Sequence, residues 1–442
     1  MKRYKNLRMA LAVAALLMAV PALALAEPIT INWWHAHGGA LGEKVNAICD
    51  GFNKSQSEYK VVPTYKGSYS DTMTAGIAAF RAKNPPHILQ VFEVGTATMM
   101  AAKGAVKPVY QVMKESGLPF DPKAYLPTVT GYYTTADGKM LSMPFNSSTV
   151  ILYYNIDAFK KAGLDPAKPP KTWPEMAEYG KKLVDAGAAP YGFSSSWTGW
   201  IQLENLGPWH NVPFGTKSNG FGGLDARYAF NAPLYVKHVQ QLADWQKDKI
   251  FIYGGRTDLG NAKFNTGEVA LYTASSASYA GFKSTCKFEF GTAMLPYWPD
   301  VKGAPQNTII GGASLWVMNG FKPAEYKGVA AFFNYISSPE VMADWHQFTG
   351  YLPITMAAYE LTKKQGFYEK NPGTETALLQ MTLHKPTDNS KGIRFGDHAK
   401  TRDIMDNEFE AIFSGKKTAK QGLDDAVKAG NELLERFQKA NK

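Results

Sequence analysis

Apolar and polar positions along this chain follow two periods in alternation. Ile29 to Trp34 alternates every second residue and is rich in β-formers, which predicts a strand. Leu41 to Lys54 carries Val45, Ile48 and Phe52 at helical spacing. The alternation repeats: a strand over Tyr59–Tyr65, then a helix over Asp71–Asn84 opened by an acidic or hydroxyl cap and stopped before Pro85-Pro86. A strand over Ile88–Glu93 follows, then a turn at Gly95 and a helix through Met99 and Met100. Strand and helix in strict succession predict a mostly parallel sheet covered on both faces. Ligands of such sheets sit beyond the carboxyl ends of the strands, which places Tyr69 and Glu93 at a ligand edge.

Further on, Met140–Pro144 and Val150–Asn155 read as strands flanking Phe145-Asn146-Ser147-Ser148, a long extended stretch suited to crossing between two lobes. Helices are expected over 158–162, 172–186, with Thr172 as N-cap, and 232–247. A helix over 259–265 and a strand over 269–273 lead into Ala274-Ser275-Ser276-Ala277-Ser278. A serine cluster between strand and helix offers hydroxyls and free N–H groups to an anion. Phe288–Pro296 is strand-like. Asn307–Met318 contains Gly311-Gly312, a pair that lets backbone approach a ligand closely. The remainder is helical: 324–336, 339–348, 354–363, 372–383 and one long pattern over 399–440.

Residues 194–205, Ser-Ser-Ser-Trp-Thr-Gly-Trp-Ile-Gln-Leu-Glu-Asn, stand apart. If Ser196 caps a helix here, Trp197 and Trp200 lie three apart on its first turn and face the same way. Two such indoles can be core, or can stack on the C–H face of a polyol or on a cation.

Composition changes this picture in three places. Lys2, Arg3, Lys5 and Arg8, the apolar run Met9–Val20 and Ala24-Leu25-Ala26 read as a signal peptide over residues 1–26. The mature protein is then expected in the periplasm, with about 416 residues, more than one core holds comfortably. Without those four cations the formal charge falls from +10 to +6. That modest positive balance suits an anionic ligand and does not by itself indicate nucleic acid. Only Cys49 and Cys286 exist, too few for a disulfide framework.

No nucleophile elbow, zincin histidine pair or phosphate loop is present, so no catalytic residue and no cofactor are expected. His35 and His37 lack supporting ligands nearby and read as structural or solvated rather than metal-binding. Scattered binding groups remain, among them Arg394 and Arg402, whose planar forks suit phosphate or carboxylate.

Long stretches carry a resemblance that covers essentially the whole mature chain. They include Val62–Gly67, Gln90–Met100, Pro144–Ser148, Gly199–Asn205, Ile309–Met318 and Gly350–Thr355. The chain resembles the periplasmic glycerol-3-phosphate-binding proteins of ABC importers, within the larger solute-binding group that includes maltose-binding protein. The resemblance implies an α/β, two-lobe periplasmic solute-binding fold, with mostly parallel sheets flanked by helices and a hinged cleft. The expected first lobe spans 27–147 and 290–326, and the second spans 148–289 and a helical part over 327–442. Tyr69, Glu93, Ser148, Trp197, Trp200, Ser275, Gly312, Tyr351 and Arg402 fall at the family's ligand-contact positions, with Arg394 as the alternative arginine. The implied roles are Arg402, the Ser148 and Ser275 hydroxyls and the Gly312 N–H on a phosphate. Tyr69 and Tyr351 add hydroxyls, Glu93 orients glycerol hydroxyls, and the tryptophans cover the carbon chain. The implied ligand is a small phosphate ester, glycerol-3-phosphate or a glycerophosphodiester such as glycerophosphocholine. The implied partner is an inner-membrane ABC permease with its ATPase, served by a monomer. A neutral oligosaccharide on the same fold, or a secreted phosphodiesterase, are the competing readings.

Overall fold

The computed structural model describes residues 27–135 and 137–442; the expected signal peptide, residues 1–26, lies outside them. Nine strands, β1 Ile29–His35, β2 Tyr59–Tyr65, β3 Ile88–Phe92, β4 Met143–Ser148, β5 Val150–Asn155, β6 Tyr191–Ser195, β7 Val269–Ser275, β8 Phe290–Ala293 and β9 Gly311–Val317, form two sheets. The first has the order β2-β1-β3-β9-β4 and the second β6-β7-β5-β8. Each sheet with its helices is one lobe.

The strand–helix alternation builds the first lobe as expected. β1 runs parallel to β2 and to β3. Ile31 and Trp33 of β1 are wholly buried, and every residue of β3 is buried, because helices cover both faces. Helix Tyr69–Arg81 packs on β3 and helix Pro323–Ile336 on β1. The turn into Tyr69–Arg81 is fixed by a reciprocal cap: Asp71 N–H donates to Ser68 Oγ, and Ser68 N–H donates to the Asp71 carboxylate. Such a cap contributes about 1 kcal/mol.

Strands that the chain reaches by crossing between lobes run the other way. β9 is antiparallel to both β3 and β4, and β5 is antiparallel to β7 and β8. Hence each sheet is mixed, and the parallel pairing expected to predominate is confined to β1, β2 and β3 and to β6 with β7. Phe145–Ser148, expected as a link between strands, is itself part of β4, because it pairs with β9.

The expected lobe boundaries move for the same reason. Phe290 pairs with Asn155 and Ala293 with Leu152, so the chain at 290 still belongs to the second lobe, and the return falls between Ala293 and Gly311. Helix Pro323–Ile336 buries Val329, Phe332 and Phe333 against the first lobe, and helix Pro339–Thr349 packs beside it. Residues 327–349 therefore belong to the first lobe, not the second. Helix Met356–Lys364 still packs on Pro339–Thr349, and the chain reaches the second lobe only further on, where helix Thr376–Met381 packs on β5, and helices His398–Phe413 and Ala419–Ala440 pack on each other and on helix Pro233–Lys247.

The crossing segments are tied together where they meet. The Thr149 hydroxyl, between β4 and β5, donates to the Ile309 carbonyl (2.8 Å) and accepts from Thr308 Oγ1 (2.8 Å). Gln380 Nε2 donates to the Val150 carbonyl (2.6 Å) and to Thr308 Oγ1 (2.9 Å). Cys49 is buried, Cys286 half-buried, and both are free thiols. Among the described residues no helix is long and apolar enough to cross a membrane.

Candidate functional site

A cavity of 920 Å³ opens between the lobes and is lined by all nine residues singled out in the sequence. Tyr69, Glu93, Ser148, Gly312 and Tyr351 come from the first lobe and the crossings. Trp197, Trp200, Ser275 and Arg402 come from the second.

On the first wall, β3 and β4 place a chain of neutral hydrogen bonds behind the cavity surface. The Gln90 side-chain carbonyl accepts from the Ala36 N–H (2.7 Å), and its amide donates to Asn146 Oδ1 (2.8 Å) and to His37 Nε2 (2.8 Å). Asn146 Nδ2 in turn donates to the Tyr69 hydroxyl (2.8 Å), which lies 3.4 Å from the Tyr351 hydroxyl. Burial lowers the His37 pKa to about 3 and that of His35 to about 4, so both imidazoles are neutral. His37 ends this chain, and His35 Nδ1 accepts from the His37 N–H (3.3 Å); among the described residues no three potential metal ligands converge. Aromatic stacking fixes the two tyrosines: Tyr69 on Phe92 (5.5 Å, 6°) and Tyr351 on Trp345 (5.7 Å, 4°). Desolvation raises both phenol pKa values, so the hydroxyls keep their protons.

Glycines shape the floor. Gly312 has φ +86°, and a Cβ there would overlap the Asn146 carbonyl oxygen. At Gly311 a Cβ would overlap the Trp200 indole, so the missing side chain is the seat of a ring from the other lobe.

The tryptophan pair departs from the helical arrangement expected of it. Trp197 has φ +41° and precedes the helix; its N–H donates to the Thr257 carbonyl (2.6 Å). Trp200 opens a π-helix over Trp200–Glu204, with no side-chain cap from Ser196. The two rings therefore do not stand together on one helical turn. Trp197 is half-buried along the cavity, whereas Trp200 is 5% exposed and packs into the second-lobe core. Ser275 ends β7, and its hydroxyl accepts from the Ala277 N–H (3.2 Å), capping the turn Ser276–Ser278.

Arg402 is the buried cation of the cavity, which Glu93, Asp258 and Lys283 also line, and it is not free. Its Nε donates to Glu204 Oε1 (2.8 Å) and its Nη2 to Glu204 Oε2 (2.6 Å), a bidentate pair within the second lobe. Nη2 also donates to Glu93 Oε1 (2.6 Å), across the cleft. Among the described residues Nη1 has no hydrogen-bond partner. Behind Glu204, His398 Nε2 lies 3.0 Å from Oε1, off the line of a hydrogen bond, and His398 Nδ1 is 2.7 Å from the Tyr228 hydroxyl. Burial pushes the Glu204 pKa up, but Arg402 and then His398 outweigh it and leave it well below the usual carboxylate range. For Glu93 burial wins: Arg402 offsets it in part, the Glu204 charge adds to it, and the pKa rises.

Arg394, the alternative arginine, does not line the cavity. Its Nη1 donates to the Tyr132 and Thr134 carbonyls (3.1 and 3.0 Å), and its guanidinium lies 4.1 Å from the Phe221 ring centre. Glu204, His398, Gln90 and Asn146 went unnoticed as site residues in the sequence. The one signal was an acid, Glu204, placed directly after Ile201 and Leu203 in a buried run.

A two-lobed α/β protein with its polar groups gathered in the cleft is built to enclose a solute. Residues 47–376 match the model for bacterial extracellular solute-binding proteins, and the chain belongs to that family. It is 54% identical over 97% of its length to the sn-glycerol-3-phosphate-binding periplasmic protein UgpB of Pectobacterium atrosepticum, covering 96% of that protein. The fold is similar to that of UgpB from Mycobacterium tuberculosis in complex with glycerophosphocholine (TM-score 0.76, 21% identity, 92% of this chain and 99% of that one). It is likewise similar to the cyclic alpha-maltosyl-1,6-maltose binding protein of Arthrobacter globiformis (TM-score 0.74, 23% identity, 92% of this chain and 100% of that one). The chain is a solute-binding protein and not an enzyme.

Proposed function

We propose that the protein is the periplasmic component of an ABC importer that captures glycerol-3-phosphate and glycerophosphodiesters such as glycerophosphocholine. The observation that carries the reading is Arg402, a buried guanidinium lining a cleft that also presents the Glu93 carboxylate, hydroxyls, a glycine N–H and an indole face. Arginine's planar fork matches phosphate, and a desolvated site strengthens the pair. The 54% identity to a glycerol-3-phosphate-binding protein supports the same ligand class. A cavity of 920 Å³ lies near the upper end of the roughly 300–1,000 Å³ range of ligand pockets, which leaves room for a substituent on the phosphate.

In this reading Arg402, the Ser148 and Ser275 hydroxyls and the Gly312 N–H hold the phosphate. Glu93, Tyr69 and Tyr351 address the glycerol hydroxyls, and Trp197 covers the carbon chain with Trp200 beneath. Contacts from both lobes are made together only in the closed form, so the ligand shifts the open–closed balance by its differential affinity. The closed monomer then docks on an inner-membrane permease and its ATPase.

Isothermal calorimetry on ligand-free protein tests the reading against glycerol-3-phosphate, glycerophosphocholine and maltose. Micromolar or tighter binding of a phosphate ester, with no heat from maltose, is the expected result. Heat from maltose alone would assign the cleft to a neutral sugar.

A further inference from the structure

Arg402 has two edges, and the structure uses them differently. The Nε–Nη2 edge is filled by the Glu204 carboxylate, one oxygen on each nitrogen. Among the described residues the opposite Nη1–Nη2 edge meets only Glu93 Oε1, on Nη2, and Nη1 has no partner. Glu204 is itself 2% exposed and backed by His398, which the Tyr228 hydroxyl braces from the other side. Arg402 and Glu204 stand on different elements of one lobe, helix His398–Phe413 and the π-helix Trp200–Glu204, whereas Glu93 follows β3 in the other. A carboxylate or phosphate takes an arginine bidentately along one edge.

On the functional reading above, we propose that Glu204 is the positioning residue of the phosphate site, locking one edge of Arg402 so that the ligand phosphate docks along the other and displaces Glu93. The displaced carboxylate then turns to the ligand's hydroxyls. Glu93 exchanges a cation for an anion as its neighbour, so its pKa rises further in the complex. The complex holds a proton more tightly than the free protein, and affinity increases as pH falls through that window.

Other ionisable groups face Glu93. Arg402 stays charged, and so does Glu204. Tyr132, whose hydroxyl donates to the Glu93 carbonyl, and Tyr133 come from helix Pro127–Tyr133; like Tyr69 and Tyr351 they stay neutral, since burial raises their pKa values. Asp406, beside Arg402 and pushed up by burial to about 6, is the competing source of a pH effect.

Three variants separate the possibilities, each checked for folding by its melting transition. Glu204→Gln removes the charge and Glu204→Asp keeps it but is too short to span both nitrogens. Both are expected to weaken glycerol-3-phosphate binding at least about tenfold. Binding is then measured by calorimetry between pH 8 and pH 5 for the unsubstituted protein and for Glu93→Gln. The ligand's own ionisation is common to both, so the difference between the profiles is read: affinity should gain at low pH only where Glu93 is present. Recovery of full affinity in Glu204→Asp reduces Glu204 to charge compensation and overturns the positioning role. Parallel pH profiles, flat or with a shared low-pH gain, overturn the exchange. If Glu204→Gln does not fold, Glu204→Asp and the two profiles still decide. Absence of any heat with the unsubstituted protein is the failure of the functional reading itself, and is seen before any variant is made.

Discussion

The first-lobe wall of the cleft carries a neutral chain, His37 to Gln90 to Asn146 to Tyr69 and Tyr351, all of it buried or half-buried and its two tyrosines stacked on aromatic rings. The second-lobe wall carries a charge cluster, Arg402 with Glu204 backed by His398, and that cluster crosses the cleft through the bond to Glu93. A neutral chain fixes geometry, because each hydrogen bond fills a valence that nothing entering the cleft replaces. A charge cluster with one open edge responds to what arrives, because an incoming anion competes for the guanidinium directly. One wall is a template and the other a detector.

That contrast is most sharply broken by removing the cation. Arg402→Met leaves Glu93 and Glu204 buried without a partner, which should cost about 3–5 kcal/mol of stability, read from denaturant unfolding. Phosphate-ester affinity should fall by about a hundredfold, as when one partner of a desolvated charge pair is lost. A loss below about tenfold in folded protein ends the description of this wall as a detector.

The next largest effect divides the tryptophans. Trp200→Ala empties a seat in the second-lobe core and against Gly311, and should cost about 3–5 kcal/mol of stability. Trp197→Ala, at a half-buried ring on the cavity, should lower affinity with a stability change of about 1 kcal/mol or less. Equal losses of melting temperature in the two variants return both rings to the core.

The smallest effect tests the template. His37 is neutral when folded, with a pKa of about 3 against about 6.5 for an exposed imidazole. Below pH 6.5 the unfolded chain takes up a proton that the folded chain refuses, so stability falls as pH drops from 6.5 towards 3, and is fully present above 6.5. At pH 5.5 this should amount to about 1 kcal/mol. His37→Gln should shrink the difference between denaturant midpoints measured at pH 7.5 and pH 5.5. An unchanged difference removes His37 from the neutral chain.

Much of the fold was legible because burial period and capping are local. Tyr59–Tyr65 and Val150–Asn155 are strands with the expected bounds, and the Thr172 cap forms with Glu175. Strand direction was not legible: β9 has the composition of a parallel strand and becomes antiparallel only because the chain enters it from the other lobe. Nor was the break at Gly415, φ +76°, which divides the pattern over 399–440 into two helices. Within the site, the sequence brought nine residues to one cavity, largely through the resemblance. It did not reveal that Arg402 is shared by two carboxylates, since Glu204 lies 198 positions away and Glu93 309. No local pattern encodes a contact at that distance.

The knot of Thr149, Thr308, Ile309 and Gln380, where the strands pass between lobes, acts as a pivot. In a rotation, displacement grows with distance from the axis. Ser148 and Gly311, which lie within two residues of the knot in sequence, therefore travel least as the jaws part. The mouth opens like shears, with the fulcrum set beside the floor. A solute reaching that floor finds groups already in place, and the far blades come to it.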